Sequence, residues 1–417
     1  MNILTLNCGS SSIKYKLFDM PKERVIARGQ AERIGRADSI LHHEIEGKAP
    51  FTGEQSLSGH REAIERLLNH LIGPEGGILN SVRDIVAVGH RFVHGGEFFR
   101  SSVAIDPGVR ETLEACRNLA PLHNPHNLTG IDVCTELIPH APQVAVFDTA
   151  FHQTMPDHAF TCAIPYRFYE ENRIRKYGFH GTSHRYVSSR ASELLGKGRE
   201  EWRIVTCHLG NGSSLCAVRD GKSCDTTMGF TPLSGVVMGT RCGDIDPALP
   251  AHLVEALNIP LAEVMSILNH ESGVLGISGL SPDFRDLESA ADGGHARARL
   301  ALTVYAYSIA RGIASLIPAI GGLDALVFTA GIGENSPRMR ARICAFLAWL
   351  GVELDAQGNE GGVPEIDVSR SGSPVRVLVI PTDEERLIAR DTVSVLGYDG
   401  EMSTGERQRL SPEAVGR

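Results

Sequence analysis

The chain has 417 residues, of which 42% are hydrophobic and 22% are charged, and its formal net charge is −9 at pH 7. This composition excludes collagen-like, disordered and coiled-coil proteins, and a chain of this length can bury a large core without disulfides or metals. The acidic balance argues against a nucleic-acid partner, which a basic stripe would attract, although a few local arginines can still bind anionic small ligands. Nine scattered cysteines, the lack of a signal-peptide pattern and the lack of a long uncharged apolar stretch predict a soluble, cytoplasmic protein with no membrane partner.

The first half of the chain opens with a strand–turn–strand pattern. Ile3–Leu6 is an apolar run that ends in the small-residue stretch Asn7–Ser12, and Ile13–Phe18 then alternates polar and apolar residues. Further strands are predicted at 22–34, 40–46, 85–88 and 144–147, and helices at 59–71 and 127–137.

The second half repeats this pattern. Strand 203–209 leads into Gly210–Ser214 and strand 215–219, and Asp220-Gly221 is a hairpin signal before strand 222–227. Helices are predicted at 247–257, 260–269, 295–317 and 384–396, strands at 325–328 and 375–380, and the tail from residue 397 is predicted to fray. The repeat predicts two similar α/β domains that face each other across a cleft.

Two turns rich in Gly and Ser are candidate phosphate sites. In Asn7–Ser12, which includes Ser10 and Ser12, and in Gly210–Ser214, small side chains let backbone N–H groups approach an anion closely. Either turn alone is more often an ordinary hairpin, but their matching contexts and the nearby Lys14 favour a split phosphate site. Neither turn matches the P-loop pattern, which argues against a P-loop nucleotidase.

A third glycine-rich segment, Gly331–Ser336, lies between a predicted strand and a helix. It is typical of a turn that contacts a nucleotide, or of a plain strand-to-helix turn. The dinucleotide-binding pattern fails at its third glycine, where Ser336 stands, and this disfavours a dinucleotide oxidoreductase. Zinc is also disfavoured, because Gly95, Gly96 and Gly181 argue against helices that could carry the pairs His90/His94 and His180/His184.

Two arginines and two carboxylates stand where ligand-binding groups are common. Arg91 and Arg241 lie in glycine-rich stretches at predicted strand ends, where an arginine more often faces a ligand than solvent. Asp148 follows a buried strand, although it could instead cap the next helix. Asp148 and Glu384 could both serve a magnesium site, since proteins hold magnesium through one or two carboxylates plus phosphates and water.

The segment from Asn7 to Lys14 behind its apolar strand, and the segment Tyr177–His184, resemble the two signatures of the acetate kinase family. The resemblance continues in order through 208–212, 240–247, 331–336 and 384–392, and it covers residues 1–397. It implies an ATP-dependent kinase that forms acyl phosphates, usually a homodimer, with the actin/Hsp70/sugar-kinase fold: α/β, with two duplicated RNase H-like domains flanking a nucleotide cleft. The implied domains are 1–150 with 385–417, on the acyl and metal side, and 151–384, which would bind the nucleotide.

The resemblance also implies roles for single residues. Asn7 and Glu384 would bind Mg²⁺, with Mn²⁺ as an alternative, and Lys14 would contact a phosphate. Arg91 would contact the substrate carboxylate and Asp148 would be an acid/base or orienting residue. His180 and Arg241 would stabilise the transition state, and the small acyl pocket would be lined by Val93, Leu122, Phe179 and Pro232. The residues that would bind ATP or ADP are His208, Leu209, Gly210, Asn211, Gly212, Asp283, Phe284, Arg285, Gly331, Ile332, Gly333, Glu334 and Asn335.

The chemistry adjusts one of these roles. A carboxylate acceptor is already ionised at neutral pH, so the obstacle is bringing an anion up to a polyanionic phosphate rather than removing a proton. We therefore expect Asp148 to orient Arg91 or a metal-bound water. The sequence departs from the family pattern at Cys242, Ser234 and Asp383, where Ser, Glu and Asn are usual, and Asp383 adds a negative charge near the expected metal.

The expected reaction is ATP + acetate = ADP + acetyl phosphate, with acetate preferred because the implied pocket is small and apolar. A propionate or butyrate kinase of the same family is the first alternative. A non-metabolic ATPase module of the actin/Hsp70 type is the second, and the two arginines with an apolar pocket argue against it.

Overall fold

The computed structural model describes residues 1–73, 77–196, 202–361 and 365–398. The chain forms two compact units: unit 1 comprises Met1–Ala150 and the chain from Asp383, and unit 2 comprises Phe151–Thr382. The chain thus returns to unit 1 at Asp383, two residues before the expected boundary, so that Glu384 belongs to unit 1 and not to the nucleotide-binding domain. The predicted fraying of the tail falls, beyond residue 398, outside the described residues.

The elements follow one another in chain order. The strands are β1 (Asn2–Cys8), β2 (Ser12–Asp19), β3 (Arg24–Glu32), β4 (Ser39–Ile45), β5 (Phe51–Gln55), β6 (Ile85–Phe92), β7 (Val103–Ala104), β8 (Gln143–Phe147), β9 (Arg203–Leu209), β10 (Ser213–Arg219), β11 (Lys222–Thr226), β12 (Ala325–Thr329), β13 (Ile366–Asp367) and β14 (Arg376–Val379). The helices are α1 (His60–Ile72), α2 (Pro107–Ala115), α3 (Asn124–Leu137), α4 (Asp157–Phe160), α5 (Arg167–Asn172), α6 (Gly181–Leu194), α7 (Ala248–Leu257), α8 (Leu261–Ser266), α9 (Gly273–Ser278), α10 (Phe284–Asp292), α11 (Ala296–Ile320), α12 (Ala330–Asn335), α13 (Pro337–Ala345), α14 (Ala356–Glu360) and α15 (Glu384–Val395).

Both units contain the same five-stranded arrangement. The sheet of unit 1 has the order β5-β4-β3-β2-β1-β6-β8-β7, and that of unit 2 has the order β11-β10-β9-β12-β14-β13. In unit 1 the antiparallel strands β3, β2 and β1 are followed by β6 and β8, which run parallel to β1. In unit 2 the antiparallel strands β11, β10 and β9 are followed by β12 and β14, which run parallel to β9. The shared order and directions confirm the duplicated α/β fold.

Parallel strands bring the predicted site residues of unit 1 to one edge of the sheet. Asn7 lies near the end of β1, Arg91 near the end of β6, and Asp148 directly follows β8. Because the carboxyl ends of parallel strands meet at the same edge, residues far apart in sequence become neighbours there. In unit 2, His208 near the end of β9 and the start of α12 after β12 occupy the equivalent positions.

Helix α11 is the longest helix of unit 2, and by length and composition alone it could cross a membrane. Its buried residues include Leu302, Ile309 and Ile313, which share the core cluster of unit 2 with Val205 on β9 and Leu326 on β12. Packing against this sheet therefore accounts for its apolar sequence.

Two local expectations are wrong. Gly331–Ser336 was expected to be a turn, but Ala330–Asn335 is a short helix. Gly181 was expected to oppose a helix, but it is the first residue of α6, so His184 lies on that helix. A glycine costs little at the first position of a helix, because the N–H groups there have no partner within the helix in any case.

Because α15 packs closely on β6, we predict that Gly89 does not tolerate a larger side chain. A Cβ atom there would lie 2.6 Å from Ile388 Cγ2 and closer still to Thr392 Oγ1. We expect Gly89→Ala to lower the free energy of unfolding by about 1–3 kcal/mol through overpacking, measured by urea denaturation. The control is Gly108→Ala in α2, where a Cβ atom would make only an ordinary contact and alanine favours the helix. Equal stability of the two variants would contradict the prediction.

Candidate active site

Arg91 and Asp148 form a two-pronged ion pair in unit 1. Arg91 Nε donates to Asp148 Oδ1 at 2.9 Å, and Nη2 donates to Oδ2 at 2.5 Å. Asp148 is 1% exposed, and its backbone N–H donates to the Phe92 carbonyl at 3.1 Å. Both carboxylate oxygens thus accept from Arg91, which is the geometry of an orienting group rather than of a helix cap. Burial would lower the pKa of Arg91, but Asp148 and Glu384 raise it, so the guanidinium stays charged.

Two oxygen-bearing side chains face the same guanidinium. Asn7 Oδ1 accepts from Arg91 Nη1 at 3.4 Å, and Glu384 Oε2 lies 3.9 Å from Arg91 Nε. Burial raises the pKa of Glu384 to about 7 against the opposing effect of Arg91, and the carboxylates of Asp148 and Glu385 add to the rise. Amide and carboxylate oxygens are the ligands that Mg²⁺ prefers, and a cation would stabilise the ionised form of a carboxylate whose pKa burial raises. The residues present therefore fit a magnesium ion.

Asp383 does not leave an unbalanced charge beside this site. Its Oδ1 accepts from Lys16 Nζ at 2.8 Å, and the same ammonium lies 3.2 Å from Glu385 Oε2. Asp383 also caps α15 by accepting from the Arg386 N–H at 3.2 Å. The departure from the family pattern thus supports the first turn of the helix that carries Glu384.

The first glycine-rich turn is closed by a hydrogen bond from the Gly9 N–H to the Ser12 carbonyl at 2.8 Å. Ser10 is exposed and Ser12 is half-buried. Lys14 is exposed and lies directly opposite Asn7 in the β1–β2 pairing. Within the described ranges of the chain, Lys14 forms no ion pair, so its ammonium is available to an anion at this turn.

Arg241 and His180 approach the second glycine-rich turn in unit 2. A Cβ atom on Gly212 would lie 3.3 Å from Arg241 Nη1 and 3.6 Å from His180 Cε1, so a side chain there would crowd both groups. The His180 ring stacks on that of His208 with centroids 4.1 Å apart. His180 has φ +57°, in the left-handed region, where a residue other than glycine is strained, as is common at functional sites.

Arg241 lies in the irregular segment between β11 and α7, not at the strand end that was expected. Its Nη1 donates to the Pro232 carbonyl at 3.1 Å, and burial lowers its pKa. In the part of the chain that the structure describes, no carboxylate pairs with Arg241. A half-buried guanidinium without a carboxylate is suited to bind an anion such as a phosphate.

The predicted nucleotide segments divide into exposed and structural residues. Leu209 is 0% exposed and Phe284 is 7% exposed, and both lie in the core cluster of unit 2, so only their backbone can face a ligand. Glu334 Oε1 accepts from the Ala330 N–H at 2.7 Å and from the Thr382 N–H at 3.1 Å, which is a structural role.

The other predicted nucleotide residues lie at a helix start, in the Gly210–Gly212 turn or within α12. Asp283 caps α10 and pairs with the exposed side chain of Arg285. The Asn335 amide donates to the Gly331 carbonyl at 2.8 Å. The Asn211 carbonyl accepts from the Gly239 N–H at 3.1 Å, which fixes the Gly210–Gly212 turn. Ile332 and Gly333 lie within α12.

The residues predicted for the acyl pocket differ in exposure. Val93 in unit 1 and Phe179 in unit 2 are buried, at 5% and 2% exposure, and Pro232 is half-buried. Leu122, by contrast, is 60% exposed in this structure. Val93 is held by a hydrogen bond from its N–H to Asn127 Oδ1 at 3.1 Å.

Sequence reasoning missed the residues that support the site. Asn127 binds both the Val93 N–H and, through its amide group, the Cys8 carbonyl at 2.8 Å, so it ties together the ends of β1 and β6. Ser183 Oγ lies 2.8 Å from His208 Nδ1, and Ser214 Oγ lies 2.8 Å from His180 Nδ1. The available signals were a polar residue, Asn127, at the start of a predicted helix, and the place of Ser214 in the second glycine-rich turn.

Two sheets of the same strand order, with arginines and oxygen-bearing side chains gathered near Arg91 and near the Gly212 turn, are the arrangement expected of a phosphoryl-transferring enzyme of this fold. The sequence profile of the acetokinase family matches residues 2–390. The chain belongs to this family, as the resemblance predicted.

Comparisons with single proteins agree over nearly the whole chain. It is 55% identical over 393 residues to an acetate kinase from Thermoanaerobacter pseudethanolicus, covering 94% of this chain and 98% of that protein. It is 53% identical over 395 residues to an acetate kinase from Clostridium botulinum strain 657, covering 95% and 99%. The crystal structure of Porphyromonas gingivalis acetate kinase superimposes with a TM-score of 0.90 at 45% identity, covering 95% and 99%. A propionate kinase from Francisella tularensis gives 0.88 at 41% identity, covering 94% and 99%.

The oxygen donors around Glu384 generate a prediction for metal binding. Glu384→Gln removes a negatively charged ligand, so the affinity of the full-length protein for Mn²⁺ should fall by about 10–100-fold, the range seen even for outer-shell partners of metal ligands. An electron paramagnetic resonance titration measures free Mn²⁺. Glu385→Gln, which changes the neighbouring carboxylate on Lys16, is the control and should change the affinity only a few-fold. An unchanged affinity in Glu384→Gln would refute the assignment.

Proposed function

We propose that this protein catalyses the reversible reaction ATP + acetate = ADP + acetyl phosphate by direct in-line transfer of the phosphoryl group to the carboxylate. The observation that carries the proposal is the ion pair of the half-buried Arg91 with the buried Asp148, which presents a fixed guanidinium at a strand end. Membership of the acetokinase family and 53–55% identity to acetate kinases support the choice of reaction. Propionate kinase is the second candidate, favoured by the likeness to the Francisella structure.

In the proposed reaction, Arg91 of unit 1 binds the carboxylate of the substrate. Asp148 occupies Nε and Nη2 of Arg91, while among the described residues the one hydrogen bond of Nη1 is the long contact to Asn7 at 3.4 Å. That nitrogen can therefore donate to a substrate carboxylate. Acetate is ionised at neutral pH, so Asp148 acts by holding Arg91 in place and no proton has to be removed.

The phosphate end requires positive charge, because two anions must meet. Arg241 and His180 at the Gly212 turn would stabilise the charge on the transferring group, and Lys14 would contact a phosphate. Asn7 and Glu384 would hold Mg²⁺, for which Mn²⁺ can substitute, and the ion would neutralise phosphate charge when bound. The turn Gly210–Gly212 and the segments 283–285 and 331–335 would bind the nucleotide, in part through their backbone.

The remaining features of the proposal come from composition and family resemblance. We propose that the enzyme works in the cytoplasm as a homodimer, without a nucleic-acid or membrane partner. The acidic net charge of −9 supports the lack of a nucleic-acid partner.

The buried Val93 generates a prediction for acyl chain length. Its β-branched side chain is stiff and cannot move aside for an extra methylene, so acetate should be the best substrate, propionate a weaker one and butyrate a poor one. Val93→Ala should shift kcat/KM toward propionate by roughly 10-fold or more, since one methylene in an apolar pocket accounts for about 1–3 kcal/mol. The assay traps acyl phosphate with hydroxylamine in the presence of ATP, Mg²⁺ and C1–C4 acids.

The control is Val25→Ala, at a half-buried position on β3, which should leave the substrate order unchanged. An unaltered enzyme that prefers propionate would favour the second candidate. ATP hydrolysis without any acyl phosphate would favour the ATPase module and refute the proposed reaction.

Within the described part of the chain, no carboxylate lies beside Arg241, so its charge is available to the transferring phosphoryl group. This leads to a prediction for kcat. Arg241→Ala should lower kcat by about 10²–10³-fold, the usual cost of removing one preorganised donor to developing charge. Arg338→Ala removes an arginine of the same unit that pairs with Asp292 at the surface, and it should keep kcat within about twofold. Steady-state kinetics with acetate measure both variants. Near-normal turnover of a folded Arg241→Ala protein would exclude this role.

A further inference from the structure

A line of hydrogen bonds runs from His180 into the interior of unit 2. His180 Nδ1 and His184 Nε2 each lie 2.8 Å from the same atom, Ser214 Oγ. His184 Nδ1 lies 2.7 Å from Thr206 Oγ1, and the Thr206 hydroxyl faces the Cys216 carbonyl at 3.4 Å. Ser214, His184 and Thr206 are all 0% exposed, so water does not compete for these bonds.

The Cys216 carbonyl, at the buried end of this line, determines which group donates in each of the hydrogen bonds. The Cys216 carbonyl can only accept, so the Thr206 hydroxyl donates to it and accepts from His184 Nδ1–H. Burial, assisted by His152 and His208, holds the pKa of His184 well below its usual value, so this ring is neutral and carries one proton. With that proton on Nδ1, His184 Nε2 accepts from the Ser214 hydroxyl. The free lone pair of Ser214 then accepts from His180 Nδ1–H.

We propose that Thr206, His184 and Ser214 are positioning residues that keep His180 doubly protonated, as a cation whose Nε2–H faces the Gly212 turn. The proposal rests on the transition-state role proposed for His180 and adds the device that controls its charge. His180 Nε2 lies 3.7 Å from the position that a Cβ atom of Gly212, the middle residue of the second glycine-rich turn, would take.

The groups that face His180 explain why such a device is needed. Its ring stacks on His208 from β9, Arg241 approaches the same glycine turn from the segment after β11, and His184 lies one turn along α6. The positive charge of Arg241, and of His208 when it is protonated, disfavours a proton on His180. An acceptor at Nδ1 acts in the opposite sense, because a hydrogen bond to the charged form favours that form.

A substitution remote from His180 tests whether the line of hydrogen bonds controls the charge of His180. Thr206→Val keeps the shape of the side chain but removes the hydroxyl that accepts from His184. The buried His184 ring should then place its proton on Nε2, and Ser214 should turn its own proton toward His180 Nδ1. The pKa of His180 should fall by about one to two pH units, which corresponds to the loss of one hydrogen bond to a charged group. Thr206→Ser, which retains the hydroxyl, should restore the original value.

Two readouts follow these changes. The first is an NMR titration of the ligand-free, full-length protein labelled with ¹⁵N at histidine, with assignments from His180→Gln and His184→Gln. The second is kcat against pH: the cationic form is active, so activity is full below the pKa of His180 and is lost as the pH rises through it. The alkaline limb should move to lower pH in Thr206→Val and not in Thr206→Ser. Ser192→Ala, which removes a buried hydroxyl of α6 that donates to the Ser188 carbonyl at 3.0 Å, is the control and should change neither readout.

Several outcomes would refute the proposal that Thr206, His184 and Ser214 keep His180 protonated. An Nε2–H tautomer of His184 in the unaltered protein would do so without any variant, even if Thr206→Val failed to fold. A pKa of His180 that is equal in the unaltered and Thr206→Val proteins would do so as well. The NMR titration does not depend on turnover. A failure to form acetyl phosphate would therefore refute the proposed function without refuting the hydrogen-bond line, which the titration tests by itself.

Discussion

The buried ion pair between Arg91 and Asp148 is the interaction on which the unit 1 side of the site depends. Its two partners come from parallel strands whose pairing sets Arg91 opposite Val146, two residues before Asp148. Removing Arg91 would leave the buried charge of Asp148 uncompensated, which is more costly than losing the pair as a whole. The pairing of β1 with β6 and the packing of α15 on β6 bring Asn7 and Glu384 within reach of the same guanidinium.

Unit 2 holds its cations in a different way. Arg241 Nη1 donates to the Pro232 carbonyl, and His180 Nδ1 lies 2.8 Å from the Ser214 hydroxyl. A neutral carbonyl orients a guanidinium without cancelling its charge. Unit 1 thus fixes Arg91 through a carboxylate, whereas unit 2 fixes Arg241 through a neutral acceptor.

The departures from the family pattern are accommodated by their surroundings. Asp383 is neutralised by Lys16 and caps α15. Ser234 lies so close to Gly229 that a Cβ atom there would be 2.6 Å from Ser234 Oγ, so this contact requires glycine opposite the serine. Cys242 Sγ lies 3.1 Å from the Gly243 carbonyl beside Arg241. None of the three replaces a group of the proposed reaction.

The sequence by itself determined most of the strands, several helices such as α1, α3 and α11, the duplicated fold, the first two glycine-rich turns and the family, because these depend on local periodicity and on short motifs. It also indicated Arg91 and Asp148 as functional residues, and the chemistry of a carboxylate acceptor indicated that Asp148 orients. Only the tertiary structure decided that these two pair across 57 residues, that Leu209 and Phe284 are core residues, and that Thr206, His184 and Ser214 connect to His180. Such contacts depend on strand register and on which face of a helix meets the sheet, and no local pattern of residues specifies either.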